Sequence, residues 1–239
     1  MKRFFKILFR SFVILFIFLN TVIAFHAYKF THFYNNGEFT LKKQADKSGW
    51  DITKEILFGI NAQKQKNTIA FDSVAYQTIM LTTKNNLKLE GWYATVDSAK
   101  GTVCMFHGHG SKKSATNAEA EAFRKLGYNT FQLDFRAHGN SEGNTCTIGY
   151  DESEDVKLAY DYIAAKGETK IILWGISMGA ATVTKAINDY ALHPTKVILE
   201  MPFGTIEDAV KGRIKMMGLP AEPFTTLLTF WGGVEHCFW

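Results

Sequence analysis

Ser177 stands at the centre of Gly175-Ile176-Ser177-Met178-Gly179. A serine hydroxyl so placed can attack a carbonyl carbon, provided that a base takes its proton. An apolar run precedes it (Ile171, Ile172, Leu173, Trp174), and a helical pattern follows through Ala180, Ala181, Thr182, Val183, Ala186 and Ile187. A buried strand that passes directly into a helix puts Ser177 on a sharp bend. Gly175 and Gly179 are needed there because side chains would collide where strand and helix cross. The bend turns the hydroxyl out at the carboxyl end of the sheet and aims the first helical N–H groups at whatever it attacks. An ordinary tight strand–helix turn is the alternative that the same residues allow.

Two further clusters carry reactive side chains. His107 and His109 lie in the loop His107-Gly108-His109-Gly110-Ser111. Two histidines could ligate a metal, but no Asp, Glu or Cys partners them at ligand spacing, so neither a metal nor a cofactor is expected. Asp134, Arg136 and His138 lie in a second loop, which they are expected to brace rather than serve chemically. Cys104, Cys146 and Cys237 are odd in number and widely spaced, which suggests neither a disulfide framework nor a metal site. Cys104, inside an apolar strand, reads as a small core residue.

These loops need elements to hold them. Residues 76–83 and 87–96 alternate apolar and polar side chains around Lys84-Asn85-Asn86, the pattern of a hairpin. Strands are expected over 101–106, 130–135 and 196–200, and helices over 114–126, 152–165 and 206–217. Strands separated by helices in this order imply a mostly parallel sheet covered on both faces. Ligands in such sheets bind beyond the carboxyl ends of the strands, where Ser177 and the His107 loop both belong.

At the N-terminus Lys2, Arg3, Lys6 and Arg10 precede an apolar stretch over 12–25, broken by Asn20 and Thr21 and continuing past His26 to Tyr28. From Ser11 this approaches the ~20 residues that cross a bilayer. Apolar side chains cover every face, unlike a helix with one buried side. The basic flank favours a cytoplasmic N-terminus and a single-pass anchor with the domain outside. Export after signal cleavage at Val22-Ile23-Ala24 is the alternative. The net charge of +4 is mild and no basic stripe with interleaved aromatics follows, so no nucleic-acid partner is expected. Residues 29–70 read as a polar connector with a short amphipathic helix around 52–60, and the folded domain is expected to begin near Phe71.

Three motifs, each closing an expected strand, make the chain similar to the α/β-hydrolase superfamily. Phe106-His107-Gly108-His109-Gly110 resembles the H-G-x-G segment after the family's third strand, and Asp134-Phe135-Arg136-Ala137-His138-Gly139-Asn140-Ser141 resembles the D-x-R-G-H-G-x-S loop after the fourth. The elbow at Ser177 is the third. The likeness covers roughly residues 76–203 and is nearest to the membrane-anchored or exported serine esterases and serine-aminopeptidase-like members. It implies Ser177 as nucleophile and the backbone N–H groups of Met178 and His109 as oxyanion hole. Gly108 and Gly110 let that loop approach closely.

The resemblance also implies an acid and a histidine base on loops after two later strands, which this chain is expected to lack. Glu200 is the alternative acid. His193 is expected at the opposite end of the sheet from Ser177, and His236 lies near the chain end. The expected architecture is an α/β-hydrolase fold, a mostly parallel sheet with helices on both faces, without the last strands and preceded by one transmembrane helix. Its divisions are anchor 1–28, connector 29–70, core 71–217 and the start of a cap over 218–239. The implied activity is hydrolysis of a carboxylic ester, thioester or amide on a small-molecule, acyl or peptidyl substrate through an acyl-enzyme on Ser177, impaired in a chain without those strands. A membrane-anchored, non-catalytic pseudohydrolase that only binds is the alternative.

Overall fold

The structure, a computed structural model, describes residues 1–35, 47–68, 75–216 and 220–236. Phe71, where the folded domain is expected to begin, lies outside the described residues, as do Met217 and Cys237. In chain order come α1 (Lys2–Thr31), β1 (Phe33–Tyr34), α2 (Gly49–Phe58), β2 (Ala62–Gln63) and β3 (Tyr76–Thr82). Next are β4 (Lys88–Ala94), β5 (Thr102–Phe106), α3 (Asn117–Lys125), β6 (Asn129–Leu133) and α4 (Glu152–Ala165). Then follow β7 (Ile171–Ile176), α5 (Met178–Tyr190), β8 (Lys196–Glu200), α6 (Ile206–Met216) and α7 (Phe224–His236). The described residues fall into two compact units. Residues 32–35, 62–68 and 75–204 form an α/β unit, and α1, α2, α6 and α7 belong to a helical one.

In the α/β unit six strands make one sheet in the order β3-β4-β6-β5-β7-β8. The β3–β4 hairpin is antiparallel and β4 runs antiparallel to β6, while β6, β5, β7 and β8 are parallel. β5 is central and wholly buried, and its side chains divide by parity. Cys104 and Phe106 join one core with Phe131, Leu133, Leu173, Val156, Ile163 and Val183, whereas Val103 and Met105 join another with Ile172, Trp174 and Ala120. A continuous apolar strand is what a sheet covered on both faces requires. β8 differs: it edges the sheet, and Val197 and Leu199 are exposed.

In the helical unit α1 is bare along its first half, from Phe4 to Phe18, and becomes buried at Ile23, Ala27 and Thr31. There α2 meets it through an edge-on contact of Phe25 and Phe58, with ring centroids 5.5 Å apart, and through a hydrogen bond from His26 Nε2 to the Ile56 carbonyl, 2.8 Å. From α7, Trp231 Nε1 donates to Asn20 Oδ1 at 3.2 Å. At 30 residues, α1 outlasts the expected span at both ends. The helix expected over 52–60 lies slightly earlier because Ser48 and Asp51 form a capping box at its start. α7 is not expected from sequence: Gly232-Gly233 breaks the helical pattern, and packing on α1 overrides it.

Candidate active site

The site is assembled at the carboxyl ends of β5, β6 and β7. Between β7 and α5, Ser177 takes φ +54° and ψ −116°, a region that costs an L-residue roughly 1–3 kcal/mol. Neighbours hold it there. The Ser177 N–H donates to the Glu200 carbonyl at 2.8 Å, and the Ser177 carbonyl accepts the Ala180 N–H at 3.0 Å. The flanking glycines are steric necessities. A Cβ on Gly179 would lie 2.2 Å from the Phe106 carbonyl oxygen, and one on Gly175 would lie 2.6 Å from the Gly179 carbonyl carbon. Met178 opens α5, so its N–H is among those a helix leaves unpaired at its start.

The loop after β5 passes directly over the elbow. A Cβ on Gly108 would sit 3.4 Å from Ser177 Cβ and 3.9 Å from its hydroxyl oxygen. His109 follows, half-buried, with its ring 5.2 Å from Phe33 and 6.0 Å from His138. The flanking histidines are spoken for. His107 Nδ1 donates to the Gly108 carbonyl at 2.8 Å, and its Nε2 accepts the Phe135 N–H at 3.2 Å. His138 Nδ1 donates to the Arg136 carbonyl at 2.9 Å, while its Nε2 accepts the Gly110 N–H at 2.9 Å. With one nitrogen donating and the other accepting, each ring is neutral.

Burial, the main cause, lowers the pKa of His107 and lowers that of His138 well below the ordinary range. Protonation therefore favours the unfolded chain. The stability from neutral His138 is complete above its unfolded value of about 6.5 and is lost as pH falls toward the folded value. Below pH 6.5 the unfolding free energy of wild type should fall more steeply than that of His138→Gln, the extra slope approaching about 1.4 kcal/mol per pH unit. Denaturant titrations at several pH values measure this, and equal slopes would refute it.

The loop after β6 is braced by buried charge. Asp134 accepts from the Lys113 N–H and Nζ, both at 2.6 Å, from Asn67 Nδ2 at 2.6 Å and from the Asn140 N–H at 2.9 Å. Lys113 also pairs with Glu90 at 2.8 Å and lies over the Trp92 ring. Arg136 is paired with Asp155 at 2.6 Å and Glu154 at 2.8 Å. Burial opposes the Arg136 charge, yet the Asp155 and Glu154 carboxylates hold its pKa above the ordinary value. Ser141 donates to the Asp134 carbonyl at 2.6 Å and accepts the Glu90 N–H at 3.0 Å. Asp134, Arg136 and His138 are thus tied into the scaffold.

Of the other candidate residues, Glu200 adjoins the elbow through its carbonyl, which accepts the Ser177 N–H. Glu200, exposed at the end of β8, accepts the Trp174 indole N–H at 2.8 Å. His193 lies in the loop before β8, at the amino end of that strand, and its carbonyl accepts the Tyr160 hydroxyl at 3.1 Å. His236 closes α7 in the helical unit. Sequence reasoning missed Lys113, Asn67, Gln65 and Phe33. Lys113 in an otherwise polar stretch reads as solvated, and nothing local marks a partner 21 positions away.

The family described as Hydrolase_4, serine aminopeptidase S33, matches residues 97–231. Among curated proteins, the chain is 24% identical over 154 residues to the lysophosphatidylserine lipase ABHD12 of Danio rerio, covering 62% of this chain and 37% of that one. It is also 24% identical over 139 residues to the uncharacterized membrane protein YNL320W of Saccharomyces cerevisiae, covering 57% and 49%. A structure of the Pyrococcus furiosus esterase Pf2001 is similar with a TM-score of 0.58 and 24% identity, over 71% of this chain and 68% of that chain. The last likeness speaks for the fold alone. The chain spans about half or less of the length of these curated relatives.

Proposed function

Because the chain belongs to the serine aminopeptidase S33 family of hydrolases and has the α/β-hydrolase fold, we propose that it is a serine hydrolase acting on a carboxylic ester, thioester or amide. One observation carries this reading: a strained Ser177 on the strand–helix elbow, with the Gly108 backbone against it. In the first step Ser177 Oγ bonds to the carbonyl carbon. The Met178 and His109 N–H groups stabilise the oxyanion, and the bond to the leaving alcohol, thiol or amine breaks as that group takes the proton. Water then hydrolyses the acyl-enzyme. In this reading an imidazole base takes the Ser177 proton and hands it to the leaving group. α1 anchors the protein in a membrane with the α/β unit outside, or serves as a signal removed on export. Its length, bare apolar surface and basic flank support that role.

A second reading, an anchored module that binds without turnover, draws support from the engagement of both ring nitrogens of His107 and of His138. The two readings part on one experiment. Membranes from cells expressing the full-length protein are washed with alkaline carbonate and treated with a fluorophosphonate. Labelled protein in the washed pellet supports the anchored hydrolase. Folded but unlabelled protein supports the binding module, and protein released by the wash contradicts the anchor.

A further inference from the structure

The stretch expected to be a mere connector is built into the active-site loops. β1 and β2 pair in parallel, Phe33 with Ala62 and Tyr34 with Gln63, and His32 bridges Thr145 on the other side. The Phe33 N–H donates to the Asn144 carbonyl at 2.8 Å. Phe33, only 3% exposed, places its ring 5.2 Å from that of His109 and 4.6 Å from that of His138. A Cβ on Gly110 would lie 3.8 Å from the same ring.

The residues after β2 continue the grip. Buried Lys64 donates from Nζ to the Ser141 carbonyl at 2.7 Å, in the loop after β6. Gln65 Nε2 donates to the Gly110 carbonyl at 2.7 Å, in the loop after β5. Asn67 reaches both, donating to Asp134 at 2.6 Å and accepting the Ser114 N–H at 3.2 Å. Gly110 is therefore held from two sides, its N–H by His138 and its carbonyl by Gln65, one residue beyond His109.

We infer that this segment is a clamp on the oxyanion loop, and that Phe33 and Gln65 are positioning residues for the His109 N–H. The inference rests on the serine-hydrolase reading for its catalytic consequence but not for its geometry. A short loop carrying Gly108 and Gly110 has little intrinsic preference for one backbone path. Preorganised donors are effective only when their direction is fixed before the charge develops. The clamp supplies that fixity from two stretches, one immediately after α1 and one running on from β2. All of its residues follow Ala24, so an anchored protein and one cleaved there would both keep it.

Hydrogen–deuterium exchange on the full-length protein, with peptides covering residues 107–113, tests the clamp. Phe33→Ala and Gln65→Ala should each speed exchange in that loop by between about two- and tenfold, leaving β5 and β7 unchanged, and Phe33→Tyr should restore the wild-type rate. Turnover of p-nitrophenyl acetate should lose kcat by a similar factor at unchanged KM. Should Phe33→Ala fail to fold, Gln65→Ala, a change at an exposed side chain, decides alone. Wild-type exchange in the loop of a folded Gln65→Ala, or an effect on KM without one on kcat, overturns the clamp. Faster loop exchange in a folded protein whose Ser177 takes no fluorophosphonate upholds the clamp and removes instead the hydrolase reading.

Discussion

Ser177→Ala should reduce acyl-ester turnover by the full-length protein about 10⁴-fold or more while leaving its unfolding transition in place. The first half follows from the chemistry assigned to the hydroxyl. Without Oγ no acyl-enzyme forms, and what remains is the modest acceleration that oxyanion donors and binding give to attack by water. The second half follows from the backbone. Alanine keeps the Cβ that serine already carries at φ +54°, so the elbow is no more strained than before. The hydrogen bond from residue 177 to the Glu200 carbonyl is made by the main chain and survives. Steady-state kinetics paired with a melting curve give the answer. Retained turnover would remove Ser177 from the mechanism, and a collapsed fold would show that the hydroxyl is structural.

Asp134→Ala should cost about 3–5 kcal/mol of stability, because it takes from a buried cation the fully buried one of its two carboxylates rather than trimming a surface contact. The Lys113 side chain is fully buried, and Asp134 is one of the two carboxylates that pair with it. The substitution also leaves the Lys113 and Asn140 N–H groups and Asn67 without the acceptor they share. Two loops would loosen together, since Lys113 belongs to the chain after β5 and Asn140 to the chain after β6. Removing the buried cation as well, with Lys113→Met in the same protein, should recover part of the loss, because Glu90 is part-exposed and keeps its hydrogen bond from Asn140 Nδ2. Equilibrium denaturation of the single and double variants measures both terms. A loss under about 1 kcal/mol in the single variant would show that the charge finds other partners.

The α/β core was legible because its signals are local. The run before Ser177 is apolar without interruption, as a strand buried on both faces must be, and β7, α5 and β8 lie where the pattern puts them. The elbow could be read from Gly175 and Gly179, whose absent side chains the crossing demands. The roles of Lys113, Asn67 and Phe33 are not local. Their partners lie 21, 67 and roughly 100 positions away, and a lysine or phenylalanine in a polar stretch carries no mark of such a partner. α7 was hidden for a different reason: helix propensity over its glycines and threonines is weak, and its place is set by packing on α1.

Mass-spectrometric mapping of the fluorophosphonate adduct on the full-length protein tests the central claim most directly. The account predicts one phosphonyl group per protein, carried by the peptide that contains Ser177 and absent from Ser177→Ala. A folded protein that takes up no probe, or that carries it on another residue, would contradict it.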